Sequence, residues 1–163
     1  MLGAALAKSL IFDILIVMSE NVFPDKVKIQ SHTMNIVPRY VETDKAGVIH
    51  HSVYPVWFEL GRTEWLRVNG LAYSKLEEAG VYFVVAELSV KYRRAARYDE
   101  ELALETQCTG VTGSRVKHSY KLRRCADGVI LAEGSSVLAC VDADGKVCRV
   151  PDFMYPEPAE TNV

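Results

Sequence analysis

Two hydrophobic periods divide this chain, and they meet at Gly80. After it the period is two. Residues 81–94 form a long strand candidate, and Leu102, Leu104, Thr106 and Cys108 mark one face of the next. Val116, His118, Tyr120 and Leu122 then alternate with Lys117, Ser119, Lys121 and Arg123. Residues 129–141 predict another strand and 147–150 a short last piece. The connections Thr112-Gly113-Ser114, Asp127-Gly128 and Asp144-Gly145 are tight-turn chemistry. Short turns between sequential strands make an antiparallel meander.

Before Gly80 the pattern is helical over one long stretch. Residues 20–31 are polar and contain Pro24, as in a linker or a short strand. Residues 34–41 roughly alternate, with Met34, Ile36 and Tyr40 on one side, and predict a first strand that Pro38 confines to an edge or a bulge. Residues 44–47 break the pattern. Ser52 is a candidate N-cap, Pro55 suits a first helical turn, and Gly70 is the left-handed stop after Asn69. Residues 53–58 are apolar all round, which predicts a helix wrapped by protein on every side. The second half is amphipathic, with Glu59, Arg62, Glu64 and Arg67 among Leu60, Trp65 and Leu66. Residues 71–80 read as a second short helical piece. One long buried helix followed by a meander predicts an α+β domain whose antiparallel sheet wraps around one long central helix. The expected organisation is an extension or linker over 1–31, the domain over 32–152, and a tail over 153–163 that frays from Pro156.

Composition narrows the function. With 163 residues, 49% hydrophobic and 25% charged, the chain is long enough for one domain with a real core. A formal net charge of -2 excludes nucleic-acid binding by bulk attraction. Cys108, Cys125, Cys140 and Cys148 show neither CxxC spacing nor a Cys/His zinc pattern, so free thiols in a reducing cytoplasm are expected, and no metal. Residues 1–17 are strongly apolar, but Lys8 and Asp13 break them well short of the roughly 20 residues of a membrane span. Asp13 also spoils a signal-peptide centre, and Met18 opens a more conventional start. An upstream start codon or a dispensable extension is expected there, with an amphipathic surface helix as the alternative.

Candidate chemistry gathers over residues 39–70. A carboxylate (Asp44), a turn glycine (Gly47), two histidines (His50, His51) and a helix N-terminus lie within a dozen residues. A carboxylate serves as general base towards water or as a nucleophile, and free N–H groups at a helix start polarise a carbonyl. The competing reading of Asp44 is a turn aspartate bonding its own backbone. Glu59 and Arg62 have the i,i+3 spacing of a helical ion pair, which is the reading favoured for Glu59. Chain-wide, there is no Gly-rich phosphate loop, no G-x-S-x-G elbow and no HExxH.

The run Thr43-Asp44-Lys45-Ala46-Gly47-Val48-Ile49-His50-His51-Ser52-Val53-Tyr54, then Phe58-Glu59 and Arg62, resembles the hot-dog-fold acyl-CoA thioesterases of the 4-hydroxybenzoyl-CoA thioesterase type, in their Tol-Pal-associated, short-chain bacterial branch. Residues 91–100 resemble a second run of that family, except that Ala95 and Ala96 stand where a proline is usual. The resemblance implies that Asp44 is the catalytic aspartate. It implies that the His51 N–H holds the thioester oxygen, with the imidazole orienting substrate or water. It further implies dimers joined into a continuous sheet, often paired into homotetramers, with the pocket at the dimer interface. Coenzyme A arrives as part of the substrate, so no separate cofactor is expected. Gly47, Tyr54, Tyr82 and Phe83 are the candidate substrate contacts, and Arg93, Arg94 and Arg97 lead the candidates for its phosphates.

The activity so implied is hydrolysis of an acyl-CoA to a free acid and CoA. Two rivals stay open: a hot-dog enoyl-CoA hydratase or dehydratase, and a non-catalytic acyl-CoA-binding scaffold. General base and nucleophile are both open for Asp44, as are an aromatic and a short aliphatic acyl group.

Overall fold

The computed structural model describes residues 23–155. The expectations for residues 1–17 and for the tail from Pro156 fall outside the described residues. Strands β1 (Ser31–Ile36), β2 (Tyr82–Tyr92), β3 (Leu102–Thr112), β4 (Arg115–Arg124) and β5 (Ile130–Val141) form one antiparallel sheet. Their order across the sheet is β1-β3-β4-β5-β2. Helix α1 (Val53–Val68) lies on one face, and the short α2 (Tyr73–Glu78) follows it. Among the described residues, no helix is long and apolar enough to cross a membrane.

The meander forms as its pattern predicts. On β4, Val116, His118, Tyr120 and Leu122 are all buried, and Leu102, Leu104 and Thr106 are buried on β3. Gly128 and Gly145 take the positive φ their turns require. The first strand differs. It runs over Ser31–Ile36 and stops before Pro38, and Tyr40–Glu42 turns into a 3₁₀ helix instead. Pro38 has no N–H for a ladder, and Glu42 bonds back to Arg39, so the chain turns where alternation alone predicts extension. The short last strand over 147–150 is also absent: only Val147 makes an isolated bridge, to Val141.

Helix α1 buries Tyr54, Trp57, Phe58, Gly61, Trp65 and Leu66, a stripe at spacings of three and four. Gly61 sits where the helix meets β3. A methyl there would collide with Thr106 Oγ1 and come within 2.9 Å of Leu104 Cδ2. The core has two parts, one around Tyr54, Trp57 and Phe58, the other around Trp65, Leu66, Val150 and Phe153. Buried Asn69 joins the second part to the N-terminal segment: its Oδ1 accepts the Lys28 and Ile29 N–H groups and its Nδ2 donates to the Ile29 carbonyl.

The expectation that residues 53–58 are enclosed on every side fails within one chain. Val56 is 53% exposed and Leu60 is 49% exposed. Glu59, on the same helix face, lines a cavity together with Val85 of β2, so this apolar stripe lies on the side of the sheet that β2 edges. Val84, Val85, Leu88 and Tyr92 of β2 are exposed as well. The sequence shows that these helix residues are apolar; it does not show what covers them.

Candidate active site

The loop that leads into α1 is built on its own backbone. The Asp44 N–H donates to the Val48 carbonyl (2.8 Å), Gly47 N–H to the Asp44 carbonyl (3.0 Å), and Thr43 bridges Ile49. Gly47 has φ 73° with no heavy atom near where a Cβ would stand, so conformation and not crowding requires glycine. The Asp44 carboxylate accepts the Ala46 N–H at 2.8 Å. That is an Asx turn, and it leaves carboxylate lone pairs free for a substrate or a water.

Glu42 anchors the loop from below. It is buried, and it accepts the Arg39 N–H (2.7 Å), the Arg39 guanidinium (3.0 Å) and the Trp57 indole N–H (3.3 Å). Burial opposes its ionisation, but the Arg39 and Trp57 hydrogen bonds and the Arg39 charge outweigh it, so its pKa lies below the ordinary glutamate value. The Glu42 carbonyl in turn accepts the His50 N–H at 2.9 Å.

The two histidines part roles. His50 Nδ1 pairs with the Ser52 hydroxyl at 2.7 Å, so Ser52 serves His50 and makes no side-chain cap on α1. His51 is exposed, its ring 4.2 Å from that of His50. Its carbonyl accepts the Tyr92 hydroxyl at 2.9 Å. Among the described residues, nothing accepts the His51 N–H. It therefore points out of the helix start as a free donor, where the dipole is positive.

The segment after β2 closes the other wall. Ile49 N–H donates to the Ala96 carbonyl (2.9 Å), and the Ala96 N–H to the Tyr54 hydroxyl (3.4 Å). Burial raises the Tyr54 pKa, which keeps the phenol protonated. Tyr54 and Tyr92 meet edge to face at 5.0 Å. Between these walls lies an open depression of about 290 Å³ lined by Val48, His51, Tyr54, Tyr92, Arg93 and Arg94, among others. Asp44 does not line it; its main-chain N–H bonds the carbonyl of Val48, which does.

The structure thus brings Asp44, Gly47, His51, Tyr54, Arg93 and Arg94 to one region. Tyr82 and Phe83 lie at the opposite end of β2, and Phe83 lines a different cavity. The arginines also separate. Arg93 is paired with Glu133 at 2.9 Å, whereas Arg94 and Arg97 have no acidic partner among the described residues. Arg124 is held by Glu100 and Asp127. Glu59 and Arg62 pair at 3.4 Å, as their spacing predicts. Sequence reasoning missed Glu42 and Tyr92. The i,i+3 pair Arg39/Glu42 was a usable signal for the first; Tyr92 lies in the family-like run 91–100, but nothing in that run points to His51.

Comparison with known proteins gives the family of the chain. The family model described as the thioesterase-like superfamily matches residues 38–157, most of the chain. The chain belongs to the thioesterase-like superfamily. It is 36% identical over 104 residues to the acyl-CoA thioesterase YbgC of Haemophilus influenzae, a match covering 63% of this chain and 75% of that one. To the acyl-CoA thioester hydrolase YbgC of Escherichia coli it is 32% identical over 103 residues, 63% of this chain and 76% of that one. The crystal structure of a DHNA-CoA thioesterase from Staphylococcus aureus superposes with a TM-score of 0.70 at 31% identity, covering 73% of this chain and 80% of that one. The hot-dog thioesterase resemblance and the α+β architecture expected from the motif and the hydrophobic pattern both hold.

Proposed function

We propose that the protein hydrolyses acyl-CoA thioesters to a free acid and CoA, with its chemistry at Asp44 and the start of α1. The observation that carries this reading is the unpartnered His51 N–H at the helix N-terminus, beside a loop that presents the Asp44 carboxylate. The thioester oxygen accepts the His51 N–H and gains negative charge as the carbonyl is attacked. Asp44 either takes a proton from the attacking water or attacks the carbonyl itself. In the second case water opens the resulting anhydride. The C–S bond breaks and the thiolate leaves as CoA. No resident metal or redox cofactor enters this scheme. Arg94 and Arg97, whose guanidinium groups have no carboxylate partner among the described residues, are the basic groups for the CoA phosphates.

The working unit in this reading is a homodimer, with a homotetramer as its further assembly. A second copy pairs along the free edge of β2 and covers Val56, Leu60 and Leu88. The cytoplasm, where cysteines stay reduced, is the proposed location.

The test is free-thiol release from benzoyl, hydroxybenzoyl, naphthoyl and short aliphatic CoA esters, with Asp44→Asn beside the native protein. Turnover of at least one ester, and a fall of about 10² or more in the variant, is the expected result. Equal rates would move the chemistry away from Asp44.

A further inference from the structure

A second cavity, of about 230 Å³, lies between the second half of α1 and the sheet, away from the Asp44 loop. Trp65, Phe83 and Leu138 are among its apolar walls, and Arg62, Tyr73 and His118 bring polar groups. Tyr73 is fully engaged, since its hydroxyl accepts the Phe83 N–H at 3.0 Å and faces the Phe83 carbonyl at 3.3 Å. His118 is not. It is 3% exposed, and neither ring nitrogen has a hydrogen-bond partner among the described residues. Buried polar groups left in that condition are rare and expensive.

The chemistry of the missing partner follows from the state of the ring. Burial, assisted by the Arg62 charge, pushes the His118 pKa down to about 3, so the imidazole is neutral. A neutral imidazole offers one N–H donor and one bare nitrogen acceptor. A hydroxyl group answers either, because it both donates and accepts. Arg62 adds further N–H donors, but its charge is already partnered by Glu59, so the cavity is not built around a full negative charge. An apolar cavity of about 150 Å³ holds a benzene ring. The present one therefore has room for a single ring or a short chain of similar size.

The cavity also has a route to the reaction, resting on the proposed thioesterase reading and its dimer. If β2 pairs antiparallel with its copy about its midpoint, Glu87, then Tyr82 falls opposite Tyr92 of the partner subunit. Tyr92 is the residue that holds the His51 carbonyl. The helix start of one subunit would then adjoin the Phe83 end of the other, which opens on this cavity.

We infer that this cavity receives the acyl group of the substrate and that His118, with Arg62, selects acyl groups carrying a hydroxyl.

The experiment measures kcat/KM by thiol release on matched ester pairs, benzoyl-CoA with 4-hydroxybenzoyl-CoA and hexanoyl-CoA with 6-hydroxyhexanoyl-CoA, for the native protein and His118→Leu. In at least one pair the native protein should favour the hydroxylated ester by about tenfold or more, and His118→Leu should collapse that ratio to within about threefold. No preference in the native protein, or an unchanged ratio in His118→Leu, overturns the inference while leaving the hydrolase intact; His118 then holds only a water. A parallel titration follows the His118 ring nitrogens by NMR in the native protein, with the free hydroxylated and deoxy acids. A shift with the hydroxylated acid alone supports the inference even if His118→Leu fails to fold. If no ester releases thiol, the proposed activity falls. The titration then decides the cavity separately, and no shift with either acid overturns it.

Discussion

The Tyr92 hydroxyl donates to the His51 carbonyl at 2.9 Å, tying the end of β2 to the first turn of α1. The carbonyl it holds belongs to the residue whose N–H has no acceptor among the described residues and, in the proposed mechanism, meets the thioester oxygen. Tyr92→Phe should therefore lower kcat several-fold while costing less than about 1 kcal/mol of stability, as for one half-exposed hydrogen bond. Denaturant unfolding beside steady-state kinetics separates the two effects. A stability loss with unchanged kcat would show that the tether serves the fold only.

Glu42 is the buried support of the same loop. Glu42→Ala removes the acceptor of three hydrogen bonds and strands the buried Trp57 indole, while the exposed Arg39 guanidinium returns to water. A loss of about 2–3 kcal/mol is expected in urea unfolding, with activity falling along with it because the main chain that accepts the His50 N–H loses its side-chain anchor. Glu42→Gln should recover part of the stability, since the amide oxygen still accepts.

Burial of His118 makes the fold sensitive to mild acid. Its pKa is about 3 in the folded state, against 6.5 in an unfolded chain. Below pH 6.5 the unfolded chain binds a proton that the folded chain refuses, so stability falls with pH, by up to about 1.4 kcal/mol per unit, until the folded pKa is reached. Glu42, whose folded pKa is lowered from 4.5, adds loss of the same sign only below that value. Unfolding free energies measured from pH 7 to 5 should thus decline in the native protein and stay nearly flat in His118→Leu.

Leu60→Glu tests the assembly. Leu60 is half exposed in the single chain, so a charge there should change monomer stability by no more than about 0.5 kcal/mol. Covered by a second copy, the same charge would be buried and unpaired. Analytical ultracentrifugation should show the native protein as a dimer or larger and the variant as a folded monomer without thioesterase activity.

Gly134→Ala probes the packing of the helix on β5. A methyl at this position would strike the Phe58 ring and lie 2.8 Å from the Ser89 carbonyl. Phe58 cannot retreat, because it stacks on Tyr120 at 4.3 Å. A cost of about 1–3 kcal/mol is expected in thermal or denaturant unfolding.

What the sequence discloses here depends on the range of the interaction. The hairpin turns and the buried face of β4 are local patterns, and Gly70 ends α1 with the positive φ expected of it. The Asp44 loop is legible because its residues are contiguous and their chemistry is distinctive. The Glu42 cluster is only half legible: Arg39 is three positions away, but Trp57 joins it only after the chain turns. Tyr92 is obscure, since its partner is 41 positions away. Tyr82 and Phe83 stand apart from His51 because a strand of this length separates its two ends, and only a second chain can bring opposite ends together. The apolar circumference of residues 53–58 does not disclose that Val56 stays half exposed in the single chain.

The strand order carries a consequence for how the protein is made. β2 leaves the ribosome directly after the helices, yet its ladder partner, β5, is the last strand to be synthesised. The β3–β4 hairpin and its continuation into β5 close over short turns and assemble quickly; β2 must wait for a long loop to close. Throughout that interval both of its margins are bare and its apolar side chains are uncovered. Nascent chains crowded on one message are therefore most vulnerable to mispairing at Tyr82–Tyr92, the same edge strand along which the proposed homodimer would pair.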